Sequence, residues 1–233
     1  MIVVDEQFLG DNFDCDVDLV LCIDVTASMK SLLSRVKENA ARFDSDLREE
    51  LQAQNRIVRN LRVRVLAFRD YYYDAVPMND SGFFDLASQS ADYAAFLDSL
   101  VAQGGGDAPE NGLEALALAL QSKWKVETTK SRQVIVLWTD TSAHPLEKAA
   151  ADRPDNYPSG LPASFDELTD LWDQLPRHET KRLLIYAPSE SPWPAIGENW
   201  DQALHYPAKA GDGLQDYEYE QILKLLAASV AGA

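Results

Sequence analysis

The chain has 233 residues, enough for one large domain or two small ones with a full apolar core. Hydrophobic residues make up 46% and charged residues 25%, which are ordinary globular values, but the formal net charge of -17 is not ordinary. So acidic a surface repels nucleic acid and anionic membrane, and the 21 Lys and Arg are scattered rather than gathered into a basic patch, so neither is expected as a partner.

Met1-Ile2-Val3-Val4 lacks the basic start of a signal peptide, and acids follow at Asp5 and Glu6. No apolar run approaches the roughly 20 residues of a membrane helix. Cys15 and Cys22 fit no metal or redox spacing, so a reducing, cytoplasmic setting is the simplest expectation.

The acidic cluster Asp11, Asp14, Asp16, Asp18 lacks the glycine and closing Glu of a calcium loop, so it reads as a solvated lead-in. A first strand is expected over Asp18 to Asp24, and it ends in Asp24-Val25-Thr26-Ala27-Ser28. From Met29 to Gln54, Leu32, Leu33, Val36, Ala40, Phe43, Leu47 and Leu51 share one face of a helix. Leu61 to Phe68 predicts a second strand running into the core, with Arg69 and Asp70 at its end. Tyr71 to Ser81 reads as an aromatic, polar loop, and Phe83-Phe84-Asp85 as a short edge strand.

A helix over Asp92 to Val101 leads into Gly104-Gly105-Gly106-Asp107-Ala108-Pro109-Glu110, then a second helix over Leu113 to Lys123, with Pro109 near its entry. Val134 to Trp138 is a buried strand ending in Thr139-Asp140-Thr141. A Pro- and Gly-bearing stretch, roughly 143–163, precedes a helix over Phe165 to Leu175. Leu183 to Ala187 is a further strand, 193–203 is partly helical, Leu204-His205-Tyr206 is a short last strand, and Leu214 to Val230 closes the chain as a helix.

Strands alternate with helices without a linker or repeat. This pattern predicts a single α/β domain over 1–233, its core at about 17–230, with a doubly wound, mainly parallel sheet of about six strands covered on both faces. Ligands bind such sheets at the carboxyl ends of the strands. Three oxygen-bearing segments arrive at that edge: Asp24, Thr26 and Ser28; Asp107 and Glu110 after the glycines; and Asp140. Carboxylates and hydroxyls are hard ligands, suited to Mg²⁺ or Mn²⁺.

These motifs resemble the von Willebrand factor A domain, shared with integrin I domains. Asp24-Val25-Thr26-Ala27-Ser28 matches the family's DxTxS metal-site motif, and Asp140 its closing acid. Asp107-Ala108-Pro109-Glu110 is similar to the DxPE loop of integrin β-subunit I-like domains, where a glutamate replaces the usual threonine. The resemblance therefore implies a metal site of Asp24, Thr26, Ser28, Glu110 and Asp140. Phe68-Arg69-Asp70 is similar to those domains' FxD, which makes Asp70 and Asp107 candidates for a second, Ca²⁺-type ion. Lys30 and Ser31 stand where the acids of a third ion site are expected.

The resemblance implies a domain that binds an Asp or Glu of a protein partner through its metal and is not an enzyme. It implies a subunit of an intracellular bacterial assembly with an AAA+ ATPase, a kinase or a conflict-defence component. Two alternatives stand beside it. A Mg²⁺-dependent phosphatase-like hydrolase would need DxDxT, whereas position 26 is Thr. A structural subunit would use the metal only to stiffen loops. The triple glycine follows a helix and lacks GK[ST], which argues against a phosphate loop. His144, His178 and His205 are scattered, and there is no GxSxG elbow.

Overall fold

The computed structural model describes residues 13–106, 108–125, 131–175 and 180–231. Its centre is β1 (Phe13–Asp24), whose odd-numbered Val17, Leu19, Leu21 and Ile23 face one apolar layer while Val20 and Cys22 face the other. A strand buried on both sides is what a parallel sheet requires. Parallel to it run β2 (Arg56–Phe68) on one flank and β4 (Ser131–Trp138) on the other. Beyond β4 lie β5 (Lys181–Pro188) and β6 (Ala203–Ala208), both parallel, and β3 (Met78–Asp85) pairs antiparallel with β2 at the opposite edge.

The order β3-β2-β1-β4-β5-β6 reverses direction of growth at β1, so the switch point lies between β1 and β4. Helices α1 (Lys30–Asn39), α2 (Phe43–Ala53), α3 (Leu86–Ser99) and α7 (Tyr219–Ala231) cover one face. The other face is covered by α4 (Gly112–Leu120), α5 (Phe165–Gln174) and α6 (Trp193–Asn199). This is the expected doubly wound α/β architecture.

Several boundaries moved for identifiable reasons. β1 begins at Phe13, so Asp14, Asp16 and Asp18 belong to a strand and are not a lead-in; Asp11 lies outside the described residues. Two of these acids have partners across the sheet: the Arg59 guanidinium and the neutral Asn60 amide donate to Asp16, and Arg62 grips the nearly buried Asp18 with two nitrogens. The single expected helix over 29–54 is interrupted by a 3-10 turn, Ala40–Arg42. There Asn39 bonds the Arg35 carbonyl with its amide and accepts from Arg42 Nε, so side-chain bonds compete with the helical pattern.

β3 starts at Met78, well before its apolar tip. After Met78 it runs Asn79-Asp80-Ser81-Gly82, with no alternation to read, and it is held instead by the bidentate Arg64–Asp80 pair from β2. α3 begins at Leu86, where Asp85 caps it by accepting from the Ala87 N–H. α7 begins at Tyr219 and not at Leu214, whose left-handed φ of 53° has no place in a right-handed helix.

Leu19 is fully buried in the central strand. Leu19→Ala is expected to lower unfolding free energy by about 2–5 kcal/mol, from lost burial plus the cavity left. Urea denaturation should show this as a lower midpoint with an unchanged slope.

Candidate functional site

At the carboxyl end of β1 the chain turns sharply, and a 3-10 turn over Ala27–Met29 leads into α1. Asp24 is completely buried there, and its carboxylate organises the turn. Its Oδ1 accepts from the Thr26 N–H at 2.9 Å and from the Thr26 hydroxyl at 2.6 Å, and Oδ2 accepts from the Thr139 hydroxyl at 2.7 Å. Burial pushes the Asp24 carboxyl up to about 6, opposed by the Thr26 and Thr139 hydrogen bonds and reinforced by the charge on Asp140.

Asp140 lies two residues past the end of β4. One of its oxygens accepts from the Ser28 hydroxyl at 2.9 Å and the other from the Gly213 N–H at 2.8 Å. Its carbonyl accepts from the Gly211 N–H, so the connection from β6 to α7 is tied to this edge as well. Among the described residues, no Lys, Arg or His pairs with Asp24 or Asp140. The buried Arg69 at the same edge spends its guanidinium on the carbonyls of Val76, Val101 and Gln103.

The third segment forms the opposite wall. Glu110 is nearly buried just before α4, and its peptide is clamped by the chain after Asp140: its N–H donates to the Ser142 carbonyl and its carbonyl accepts from the His144 N–H. The glycines supply the thin part of the wall. Gly104 and Gly105 both have a φ of 75°, and a β-carbon on Gly105 would lie 2.7 Å from Glu110 Oε1 and 3.0 Å from Thr26 Cγ2. Asp74 secures this segment by accepting from the Gly105 N–H.

Thr26, Ser28, Glu110 and Asp140 thus surround an open cleft of about 480 Å³, walled also by Gly104, Gly105 and Glu190, with Asp24 directly beneath. Asp107 lies outside the described residues. Asp70 does not join the cleft. It is fully buried, its Oδ1 accepts from the Tyr72 N–H and its Oδ2 meets His144 Nε2 at 3.0 Å. His144, one of the three scattered histidines, is therefore the partner of this acid. Of the three tyrosines, Tyr71 is buried while Tyr72 and Tyr73 are exposed.

The oxygen donors suit a small divalent cation. With their protons given to Asp24 and Asp140, the Thr26 and Ser28 hydroxyl oxygens keep lone pairs for a ligand in the cleft. They lie 3.4 Å apart. Adjacent positions around Mg²⁺ with bonds of roughly 2.1 Å are about 3.0 Å apart. Among the described residues, no three His, Cys, Asp or Glu side chains form a cation cage by themselves, so a cation here would depend on the hydroxyls.

A model of the von Willebrand factor A domain matches residues 18–151. The chain belongs to that family. Two curated relatives align with it. One is an alpha-protein kinase, vwkA, of Dictyostelium discoideum, 25% identical over 158 residues, which are 66% of this chain and 23% of the relative. The other is a putative ariadne-like RING finger protein of Acanthamoeba polyphaga mimivirus, 27% identical over 172 residues, 73% of this chain and 15% of the relative. The chain spans less than a quarter of the length of either.

Among solved structures, the pilus adhesin SpaC of Lactobacillus rhamnosus GG superposes with a TM-score of 0.56 at 13% identity, covering 93% of this chain and 31% of the adhesin. A von Willebrand factor type A protein of Catenulispora acidiphila gives 0.51 at 13%, covering 93% and 43%. These likenesses are of fold.

Sequence reasoning missed several parts of this A-domain edge. Thr139 was visible beside Asp140 but nothing in the pattern assigned its hydroxyl to Asp24. Gly211, Gly213 and Glu190 arrive from distant segments, and only the fold brings them in. Gly105→Ala is expected to destabilise the protein by more than about 1 kcal/mol, since alanine must adopt a positive φ and displace Glu110 or Thr26. A thermal melt of this variant should show the loss; an unchanged melting temperature would remove the glycine wall from the account.

Proposed function

We propose that this A domain binds a divalent cation, Mg²⁺ or Mn²⁺, in the cleft and uses it to hold an acidic side chain of a protein partner. The observation that carries the reading is the pair of cleft-lining hydroxyls on Thr26 and Ser28, their protons committed to buried carboxylates. In this reading the two hydroxyl oxygens are ligands, Asp24 and Asp140 orient them and supply the negative charge, and Glu110 contributes a carboxylate from the wall. The cation would supply Lewis-acid affinity for a partner carboxylate. The cleft is open enough to admit one.

A second, calcium-type ion is not part of the proposal: Asp70 lies outside the cleft, against the Tyr72 N–H and His144. We infer binding without catalysis: Thr26 stands where the phosphatase pattern places its second acid, and its hydroxyl is fastened to Asp24. Both curated relatives hold this region as a minor part of a longer protein, one named a kinase and the other a RING finger protein. That supports a recruiting module serving a larger assembly. The free, buried Cys15 and Cys22 fit a reducing cytoplasm, and among the described residues no helix is long and apolar enough to cross a membrane.

Calorimetric titration with Mg²⁺ is expected to show one site, weakened about tenfold or more by Thr26→Ala, Ser28→Ala or Asp24→Asn. No heat at millimolar Mg²⁺ would sink the reading. Partner capture abolished by EDTA and by Asp24→Ala would support it, EDTA-insensitive capture would favour a structural role for the metal, and turnover of p-nitrophenyl phosphate lost in Asp24→Ala would replace it with a hydrolase.

Acidity gives a separate check. Asp24 has a raised carboxyl, about 6 against 3.8 for the free group, so its contribution to metal-free stability is present below pH 3.8 and lost as pH rises through 6. A cation needs the ionised form, so Mg²⁺ should bind more weakly at pH 5.5 than at pH 7.5 and raise the melting temperature less there. Equal affinity at both values would remove Asp24 from the site.

A further inference from the structure

Below the cleft, the stretch between β4 and α5 crosses α4 as a strap, and it carries more buried charge than a connecting loop needs. Glu114, one turn along from Glu110, is completely buried. Its Oε1 accepts from Lys148 Nζ at 2.6 Å and from the Tyr157 hydroxyl at 2.9 Å, and Lys148 also donates to the Pro145 carbonyl. At the other end of the same strap, His144 Nε2 meets the buried Asp70 at 3.0 Å. Rings from both sides close over these pairs: Tyr71 packs on Tyr157, and Tyr72 on His144.

The strap matters because of what its end nearest β4 holds. Ser142 and His144 are the residues whose backbones grip the peptide of Glu110, while Asn111 is fastened to the end of β2 through the Arg69 carbonyl and the Tyr71 N–H. Glu110 therefore sits between two clamps, and one of them is only as firm as the strap. Buried ion pairs such as Lys148–Glu114 contribute little net stability compared with apolar substitutes. What they provide is a fixed geometry.

We propose that Lys148 and Glu114, together with the His144–Asp70 pair, form a latch that positions Glu110 at the metal cleft. These are positioning residues: they act through the strap and Glu110 and do not touch the cation. The inference rests on Glu110 being a metal ligand, and the test separates the two ideas.

The test is a double-mutant cycle on Mn²⁺ affinity, read by electron paramagnetic resonance. The latch variant is Glu114→Gln/Lys148→Met, which removes both charges together and leaves an acceptor for Tyr157, so no lone charge is stranded. It should weaken Mn²⁺ binding about tenfold, as Glu110→Gln does, in line with the cost of removing outer partners of metal ligands. Combined with Glu110→Gln, the latch variant should add nothing further. Combined with Ser28→Ala, it should add its full effect.

A generally loosened fold would instead weaken every background equally, and that result would overturn the latch, as would unchanged affinity in the latch variant. If Glu110→Gln itself binds Mn²⁺ like the wild type, Glu110 is no ligand and the latch falls with it. His144→Gln, which disturbs only the partly exposed end of the strap, carries the same test should the double variant fail to fold, and it is expected to give the same pattern with a smaller loss.

Discussion

The structure of the site depends on one costly arrangement: a carboxylate, Asp24, placed without solvent exposure at the end of the central strand. A buried carboxylate is tolerable only when its lone pairs are occupied. Here hydroxyls occupy them, from Thr26 two residues on and from Thr139 at the end of the neighbouring strand. Those neutral donors solvate the charge without cancelling it, so burial still leaves the carboxyl raised. The same bonds fix where the Thr26 oxygen points. The need to satisfy a buried acid and the presentation of cleft oxygens are one piece of geometry.

The surrounding segments extend that logic. Ser28 repeats it with Asp140, which is held in turn by the Gly213 N–H. Opposite, the glycine segment must be thin because Thr26 and Glu110 stand where a side chain would go. The wall, the floor and the closing loop therefore come from four different parts of the chain. Each is held to the edge by backbone or buried side-chain bonds, and the sheet gives them a common base at its switch point. A domain organised this way gathers its oxygen atoms at one edge of a packed sheet.

Much of the fold was legible because burial on both faces leaves its mark on a strand. Val20 to Ile23, Val134 to Trp138 and Leu183 to Ala187 are continuous apolar runs, and the structure makes them adjacent parallel strands. Strand β3 was only half legible, since Asn79 to Gly82 is held by Arg64 and not by apolar packing. The long first helix was over-read for a related reason. Its apolar spacing continues through Ala40 and Phe43, but the Asn39 side chain diverts the backbone into a tighter turn.

By itself the sequence determined the local chemistry: an acid and two hydroxyls at alternate positions after an apolar run, and acids after two further segments, because spacing and residue type are properties of the chain alone. It also carried the family, through Asp24-Val25-Thr26-Ala27-Ser28 and Asp140. Only the tertiary structure decided which oxygens meet. It gave Thr139 to Asp24, the glycine N–H groups of 211 and 213 to Asp140, and His144 to Asp70. Those partners are separated by roughly seventy to more than a hundred positions, and hydrogen bonds act over about 3 Å. Such contacts leave no periodic trace in a sequence, so they become visible only when the sheet has brought its strand ends to one edge.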